Sequence, residues 1–377
     1  MNTDAFTQYF GEIDDPRQPA KIIYPLFDVL FLTICAVIAG AEGWEDIEDF
    51  GSAHLNWFQK KGLFPEGVPV HDTIARVISR LDPVQFQQCF IRWVQSITHR
   101  TDGELIAIDG KVLRGSYDRE NRQSTIHMVS AFSSANGVVM GQLKTNAKSN
   151  EITAIPALLK LLDIKGCLIS IDAMGCQTNI AKTIINQGGD YLLAVKGNQE
   201  LLFKAVRTTL SASIAVSTNP DKINIEQGHG RTEIREYHVL PAGDLAHQFP
   251  DWKGLKTIGV AIGYRREKSG KSSLEYRYYI SSAELDSIRF GKAVRGHWGI
   301  ENSLHWVLDV SMKEDACPIY RENGAEVLAS IRHLALNMIR SETSRKASVR
   351  RKQKMASMSC AYLDKILVAG FTVLGKK

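Results

Sequence analysis

The sequence predicts an α/β protein in which a mixed β-sheet is flanked by helices. Two changes of pattern along the chain support this prediction. Residues 1 to about 100 show helical periodicity, whereas short runs rich in β-branched residues begin near residue 104 and then alternate with helical segments. From about residue 287 onwards the pattern is helical again.

The N-terminal region, residues 1–100, is predicted to form a helical domain and is a candidate for DNA binding. Its most informative part is "PVHDTIARVISRLDPVQFQQCFIRWVQSI", in which an Asp-Pro turn separates two helices. Arg76, Arg80 and Arg92 on these helices would suit a helix-turn-helix that reads DNA. The same pattern also fits an ordinary helical hairpin, and the sequence leaves both interpretations open.

Residues 101–340 are predicted to form the domain that contains the sheet. Three strand-like runs, "ELIAIDG", "STIHMVSAFSS" and "GVVMGQLKT", precede a helix, a strand, a helix and a further strand. This order is that of an RNase H-like mixed sheet flanked by helices. Residues from about 200 to 285 interrupt the order with runs that resemble antiparallel strands, and we interpret them as a β-rich insertion.

Two acids stand where strands of this sheet are expected to stop. Asp109 follows the apolar run of "LIAIDGKVL", and Asp172 follows that of "CLISIDAMGC". An Asp at such a place can simply begin a turn. In an RNase H-like sheet, however, the two strands are neighbours, so the carboxylates would meet and repel each other unless a cation neutralises them. Carboxylate oxygens suit Mg²⁺ or Mn²⁺.

A third carboxylate would complete a site for two metal ions that catalyses phosphoryl transfer. The candidates in the late helical region are Glu301, Asp309, Glu314 and Asp315. Glu301 is favoured because helical spacing places His297 one turn before it and His305 one turn after it. We expect the two histidines to contact phosphate or to position a leaving group. The alternative is a surface helix that is anchored by its tryptophans.

Charge is distributed unevenly along the chain. The formal net charge is +5, yet residues 340–377 contain ten Lys and Arg against two acids. We interpret residues 341–377 as a basic C-terminal tail, which suggests a polyanionic partner but also fits a tail that only keeps the protein soluble.

The composition also indicates the compartment. The six cysteines form no CxxC pair, so neither a disulfide framework nor a zinc site is expected. The longest apolar run is shorter than the about 20 residues that a membrane span requires. We therefore expect a cytoplasmic protein with no membrane partner.

Several long motifs resemble those of the ISAs1-type transposases, which include the H-repeat-associated proteins and are related to the IS4-type DDE transposases. The motifs include "AIDGKVLRGSYD", "DYLLAVKGNQ", "GHGRTEIREYHV" and "GHWGIENSLHWVLDV", and the resemblance covers roughly residues 12 to 340. It implies an RNase H-like core with a DDE triad and an inserted β domain. Asp109 matches the first acid of the triad, Asp172 the second and Glu301 the third.

The resemblance implies a nucleoid-associated bacterial enzyme that cleaves the ends of an insertion sequence and joins them to target DNA with two Mg²⁺ or Mn²⁺ ions. Double-stranded DNA would be its partner, and it would act as a homodimer. The IS4-type pattern around the glutamate is only partly kept, because Trp298 matches whereas Leu308 stands in place of a lysine. The alternatives are an RNase H-like nuclease without strand transfer and an inactive or domesticated relative that only binds DNA.

The resemblance also suggests which residues contact DNA. Four of the suggested DNA contacts follow the first acid or lie in loops near strand ends, namely Lys111, Arg114, Lys148 and Lys196. Three further contacts lie in a basic loop of the insertion, namely His229, Arg231 and Arg235. The remaining contacts lie around the third acid, Glu301, and are Arg295, His297, Trp298 and His305. Basic residues are usually just exposed, and this is the alternative for each of them.

Overall fold

The computed structural model describes residues 4–98, 101–116, 125–145, 151–214, 223–228 and 231–372. The chain divides into two compact units. Unit 1 contains residues 1–100, 110–150 and 301–377, and unit 2 contains residues 101–109 and 151–300. Strand β1, Leu105–Leu113, therefore begins in unit 2 and continues in unit 1.

In unit 1, strands β2, Ile126–Ser133, and β3, Val138–Thr145, form an antiparallel hairpin. The turn between them contains Asn136 and Gly137, and the φ of Gly137 is 65°, a conformation that glycine adopts readily. The three strands follow the order β3-β2-β1. The Asn-Gly pair is a hairpin signal that can be recognised from the sequence alone.

In unit 2, the first part of β1 pairs in parallel with β4, Leu168–Ile171, which pairs in parallel with β5, Asp190–Val195. Helix α7, Glu151–Leu161, precedes β4, and helix α8, Thr178–Asn186, connects β4 to β5. Parallel neighbours require such crossover connections. The prediction of a mixed sheet with three strands, helix, strand, helix and strand is confirmed.

The strands of the predicted β-rich insertion extend this sheet. The insertion begins with helix α9, Glu200–Ile214, and contains the short helix α10, Asp244–Gln248. Its strands are β6, Ile223–Gly228; β7, Arg231–Pro241; β8, Thr257–Glu267; and β9, Ser272–Ser281. Strand β9 pairs antiparallel with β5, and the full order is β3-β2-β1-β4-β5-β9-β8-β7-β6. Helix α11, Ser287–His297, follows the insertion.

Helices make up most of unit 1. They are α1, Asp4–Phe10; α2, Leu26–Ile38; α3, Trp44–Ala53; α4, Leu55–Gln59; α5, His71–Ser79; α6, Pro83–Ile97; α12, Trp306–Met312; α13, Gly324–Ser341; α14, Val349–Met358; and α15, Cys360–Gly370. Helix α2 is apolar and buried along most of its length, whereas α13 is buried along most of its length but also buries polar side chains such as Arg332, His333 and Asn337. Helix α13 packs against α2, α5 and α6 and therefore lies in the core of this unit.

The predicted helix-turn-helix candidate corresponds to α5 and α6. Asp82 caps α6, because its carboxylate accepts a backbone N–H of the first turn at 2.8 Å. Arg92 pairs with Glu12 at 2.7 Å, and Arg80 lies 3.9 Å from Glu322. Both helices pack against α13. This arrangement suits a helical hairpin, and DNA reading by these helices stays a prediction.

The segment predicted as a C-terminal tail contains the helices α14 and α15. Leu363, Ile366 and Leu367 of α15 are fully buried, and α15 packs against α13. The described part of this segment, residues 341–372, is therefore folded into unit 1. The three domain boundaries drawn from the sequence stay a prediction.

No helix within the described residues combines the length and the hydrophobicity that a membrane span requires.

Candidate active site

Asp109 and Asp172 are neighbours on two strands of unit 2. The parallel register pairs Ile108 of β1 with Ile171 of β4, and each aspartate directly follows its member of this pair. Both aspartates are partly buried. The expectation that Asp109 ends its strand is wrong, because β1 continues to Leu113. The pairing with β4 ends there instead, so the two aspartates stand where the two strands separate.

The loop after β4 holds the carboxylate of Asp172. Its Oδ1 accepts backbone N–H groups from Met174 at 3.0 Å and from Gly175 at 3.2 Å. Two donors on one oxygen give the carboxylate a defined orientation.

Two residues that the sequence analysis did not single out support this loop. The side-chain amides of Asn198 and Gln199 donate to the carbonyl oxygens of Ala173 at 2.7 Å and of Cys176 at 2.9 Å. Both amides follow β5 in the motif "VKGNQ", from which only Lys196 was selected. Polar side chains directly after a buried strand were the signal that could have identified them.

Helix α11 brings His297 to strand β4. Its Nδ1 lies 3.0 Å from the Oγ of Ser170, two residues before Asp172. The adjacent Trp298 is 43% exposed, and the guanidinium of Arg277 lies 4.2 Å from the centroid of its ring, a cation–π contact. Ser170 and Arg277 were not predicted, because they are distant in the sequence from the side chains that they contact.

Glu301 begins the last segment of unit 1 and the π-helical turn Glu301–His305. Its side chain is 54% exposed, and its Oε2 lies 3.6 Å from Nδ1 of His305, which is buried. The spacing of four residues predicts this neighbour, but the turn is π-helical and not the ordinary α-helix that the sequence predicts. Single π turns are frequent at functional sites, because they change the direction of a few side chains.

The other three candidate acids surround Lys111, which is buried. Its Nζ donates to Glu314 at 2.7 Å, pairs with Asp309 and lies 3.9 Å from Asp315. Burial by itself would lower the pKa of Lys111, but the surrounding Glu314 and Asp309 carboxylates raise it. The predicted DNA contact of Lys111 does not suit this position, because its ammonium is enclosed by acids.

Glu314 is the most deeply buried of these acids. Burial by itself would raise its pKa, but the cations of Lys111 and Arg332 lower it, so the carboxylate is ionised. Burial lowers the pKa of His333 to about 4, and this imidazole is therefore neutral at neutral pH. The cluster is a buried ion-pair network within unit 1.

The other predicted DNA contacts differ in how accessible they are. The side chain of Arg114 is 81% exposed, with its Nε 3.6 Å from Asp315, and Lys196 is exposed directly after β5. Lys148 and His229 lie outside the described residues. Arg114 and Lys196 are therefore two predicted contacts whose charges a polyanion can reach.

The three arginines of the insertion and of α11 have acidic partners in unit 2. Arg231 pairs with Glu233 at 2.6 Å, and Arg235 pairs with both Glu233 and Glu226. Arg295 also pairs with Glu226. Their positive charges are partly neutralised by these glutamates.

Comparison with solved structures finds a similarity to the piggyBac transposase in a synaptic complex with hairpin DNA. The TM-score is 0.42 and the sequence identity 12%, over 97% of this chain and 77% of that chain.

Comparison with curated sequences finds relatives along nearly the whole chain. "Putative transposase YncI" of Escherichia coli O157:H7 is 48% identical over 376 residues, which are 98% of this chain and 96% of that protein. "H repeat-associated putative transposase YhhI" of Escherichia coli strain K12 is 48% identical over 372 residues, which are 97% of this chain and 98% of that protein.

Two protein families match consecutive parts of the chain. The family described as "DDE_Tnp_1-associated" matches residues 7–94, and the family described as "Transposase DDE domain" matches residues 100–338. These matches and the two relatives confirm the resemblance to DDE transposases that the motifs predicted. The chain belongs to the DDE transposase family.

Proposed function

We propose that this chain is a DNA transposase of the ISAs1 type that cleaves the ends of an insertion sequence and joins them to target DNA. Asp109, Asp172 and Glu301 are the proposed catalytic acids. The observation that carries the proposal is the placement of two partly buried aspartates side by side, where two parallel strands separate. The family match, which spans all three acids, supports it.

The chemistry of these side chains suits divalent metal ions. The strand register places Asp109 and Asp172 beside each other, and carboxylates that are brought close together repel each other unless a cation neutralises them. Their oxygens and those of Glu301 are hard ligands of the kind that Mg²⁺ and Mn²⁺ prefer. When bound, two such ions would stabilise the attacking and leaving oxygens of a phosphoryl transfer. The three carboxylates would hold these ions.

Neighbouring side chains would position the acids and the DNA. The N–H groups of Met174 and Gly175 orient the carboxylate of Asp172. His305 lies beside Glu301 and would restrict the rotamers of its exposed side chain. His297, held by a hydrogen bond to strand β4, would donate to a phosphate oxygen.

Double-stranded DNA is the proposed partner. Lys196 in unit 2 and Arg114 in unit 1 are exposed cations that would neutralise backbone phosphates. The paired arginines of the insertion would have to exchange a glutamate for a phosphate, so we expect them to contribute less. Phosphate contacts orient a protein on DNA without reading its sequence. We assign the reading of the element ends to the N-terminal helices, and a homodimer on DNA stays a prediction.

Cleavage of candidate element ends in the presence of Mn²⁺ tests the three acids. We expect Asp109→Asn, Asp172→Asn and Glu301→Gln each to lower the cleavage rate by about a hundredfold or more, because each removes charge stabilisation of the transition state. The controls Asp251→Asn and Glu284→Gln, which change exposed acids outside the proposed site, should cut at the wild-type rate. Equal cutting by Glu301→Gln and wild type would remove Glu301 from the mechanism.

A strand-transfer assay with a pre-cut element end distinguishes the proposed transposase from a nuclease and from an inactive relative. Incubation with a target plasmid should give joined products if the protein is a transposase. Cleavage of intact ends without any joining of pre-cut ends would instead indicate a nuclease. Binding of ends without cleavage in Mg²⁺ or in Mn²⁺ would indicate an inactive relative.

A further inference from the structure

We propose that residues 343–358, here called the basic segment, form a second DNA-binding surface that contacts the duplex backbone without reading its sequence. This inference rests on the proposed function, since it adds a contact with the same polymer. The exposed cations of the segment are Arg345, Lys346, Arg350, Arg351 and Lys354. Among the described residues, no carboxylate forms an ion pair with any of these five.

The two acids that flank the basic segment in the sequence have other partners. Glu342 is buried, accepts the Tyr362 hydroxyl at 2.7 Å and lies 3.4 Å from the Nζ of Lys352. Asp364 pairs with Lys61 at 2.9 Å. Neither acid is therefore available to neutralise the exposed cations. The basic segment presents an uncompensated positive surface within unit 1.

The basic segment is held in place by buried and capping contacts. Lys352 is buried on α14, and its Nζ donates to the carbonyl oxygen of Ile339 in α13 at 3.0 Å. The side chain of Ser348 caps the first turn of α14. The Nε2 of His54 lies 3.1 Å from the carbonyl oxygen of Ser357. Because the backbone is fixed in this way, binding would not have to order it.

The exposed charges are unfavourable for the isolated fold. Arg350 and Arg351 lie in the first turn of α14, where the helix dipole disfavours cations, and this turn contains no acid. Arg350 and Lys354 are also four residues apart on the same helix, which is a repulsive spacing for like charges. The fold gains no stability from these cations, whereas a polyanionic ligand would bind to them.

Duplex DNA suits this surface better than a membrane does. DNA carries one negative charge per about 1.7 Å of its axis, so a row of cations on one helix meets several phosphates. A helix that binds a membrane surface needs a wide exposed apolar face. On α14, Met358 is the large hydrophobic side chain that is exposed, at 73%.

The salt dependence of DNA binding tests the proposal on the full-length protein. In the triple variant Arg350→Gln, Arg351→Gln and Lys354→Gln, the slope of log K against log salt should become less steep by about 3. At low salt, affinity should fall about tenfold or more, equally for an element end and for an unrelated duplex of the same length. The thermal midpoint should not fall, because the substitutions remove repulsion from α14.

A matched control removes three exposed lysines from unit 2. The variant Lys160→Gln, Lys165→Gln and Lys182→Gln should keep the wild-type slope and affinity. An unchanged slope in the α14 variant, or a loss no greater than that of the control, would overturn the proposal. The proposal would also be overturned if the α14 substitutions weakened binding to phosphatidylserine vesicles but left DNA binding unchanged.

Failure of the proposed function can be distinguished from failure of this inference. In that case the wild-type protein would not cut element ends in Mn²⁺, whereas the comparison of DNA affinities would still report on the basic segment. Conversely, a protein that cuts normally but shows no change of salt slope in the α14 variant would keep the proposed function and lose this inference.

Discussion

At the residue scale, Asp109 and Lys111 show how far a local sequence pattern indicates the surroundings of a side chain. Asp109 was recognisable because a lone carboxylate after an apolar run contrasts with its neighbours. Lys111 was assigned to DNA because it is basic and close to that acid, but it is buried among carboxylates. Two of its partners, Asp309 and Glu314, lie 198 and 203 residues later. No local pattern links such distant residues, so only the tertiary structure reveals this network.

The buried pair of Lys111 and Glu314 makes a prediction about stability. We expect Lys111→Met to lower the free energy of unfolding by about 3–5 kcal/mol, because it leaves a buried carboxylate without its cation. The control Lys204→Met removes an exposed pair with Glu200, four residues away, and should cost about 0.5 kcal/mol or less. Urea unfolding of both variants measures the difference. Small and equal losses of unfolding free energy in Lys111→Met and Lys204→Met would show that the buried pair is not important for stability.

At the scale of elements, the order of strands and helices was largely predictable, because apolar runs and turn residues alternate clearly. Strand β4 and helix α8 are examples, with Gly188 just after the helix at a φ of 76°. The pairing of β9 with β5 was not predicted. Most of the insertion lies between these two strands in the sequence. Hydrophobic alternation indicates which residues form a strand but not which strand is its partner.

Gly175 makes a prediction about the loop that follows β4. A Cβ at this position would lie 2.3 Å from Cγ2 of Ile171 and 3.1 Å from Cδ1 of Ile155. Gly175→Ala must therefore move the loop that donates to Asp172. We expect a loss of about 1–3 kcal/mol in the free energy of unfolding, and slower Mn²⁺-dependent cleavage.

A glycine with open space around it provides the control. A Cβ on Gly263 in β8 would meet no atom within 4 Å, so Gly263→Ala should be neutral or slightly stabilising. Chemical unfolding and the cleavage assay are applied to both variants. Wild-type stability and rate in Gly175→Ala would contradict the assignment of this loop as a rigid support for Asp172.

At the scale of the whole molecule, each compact unit combines segments that are distant in the sequence. Unit 1 is built from three segments. Within it, the indole N–H of Trp93 donates to the carbonyl oxygen of Gly370 at 3.0 Å. Changes of composition along the chain predict consecutive domains, whereas contacts between distant segments leave no such signal in the sequence. The basic residues of the C-terminal segment also obscured its apolar positions, which are Leu363, Ile366 and Leu367.

The C-terminal segment therefore has two separable roles, and a truncation tests the structural one. Ending the chain at Glu342 would remove α15 from the core of unit 1. Each buried Leu or Ile contributes about 1.5–3 kcal/mol, so we expect the loss of Leu363, Ile366 and Leu367 to lower the thermal midpoint markedly and to increase the binding of a hydrophobic dye. The full-length α14 variant should keep the wild-type midpoint and lose only DNA affinity. A truncated protein as stable as the wild type would contradict the role of α15 in the core.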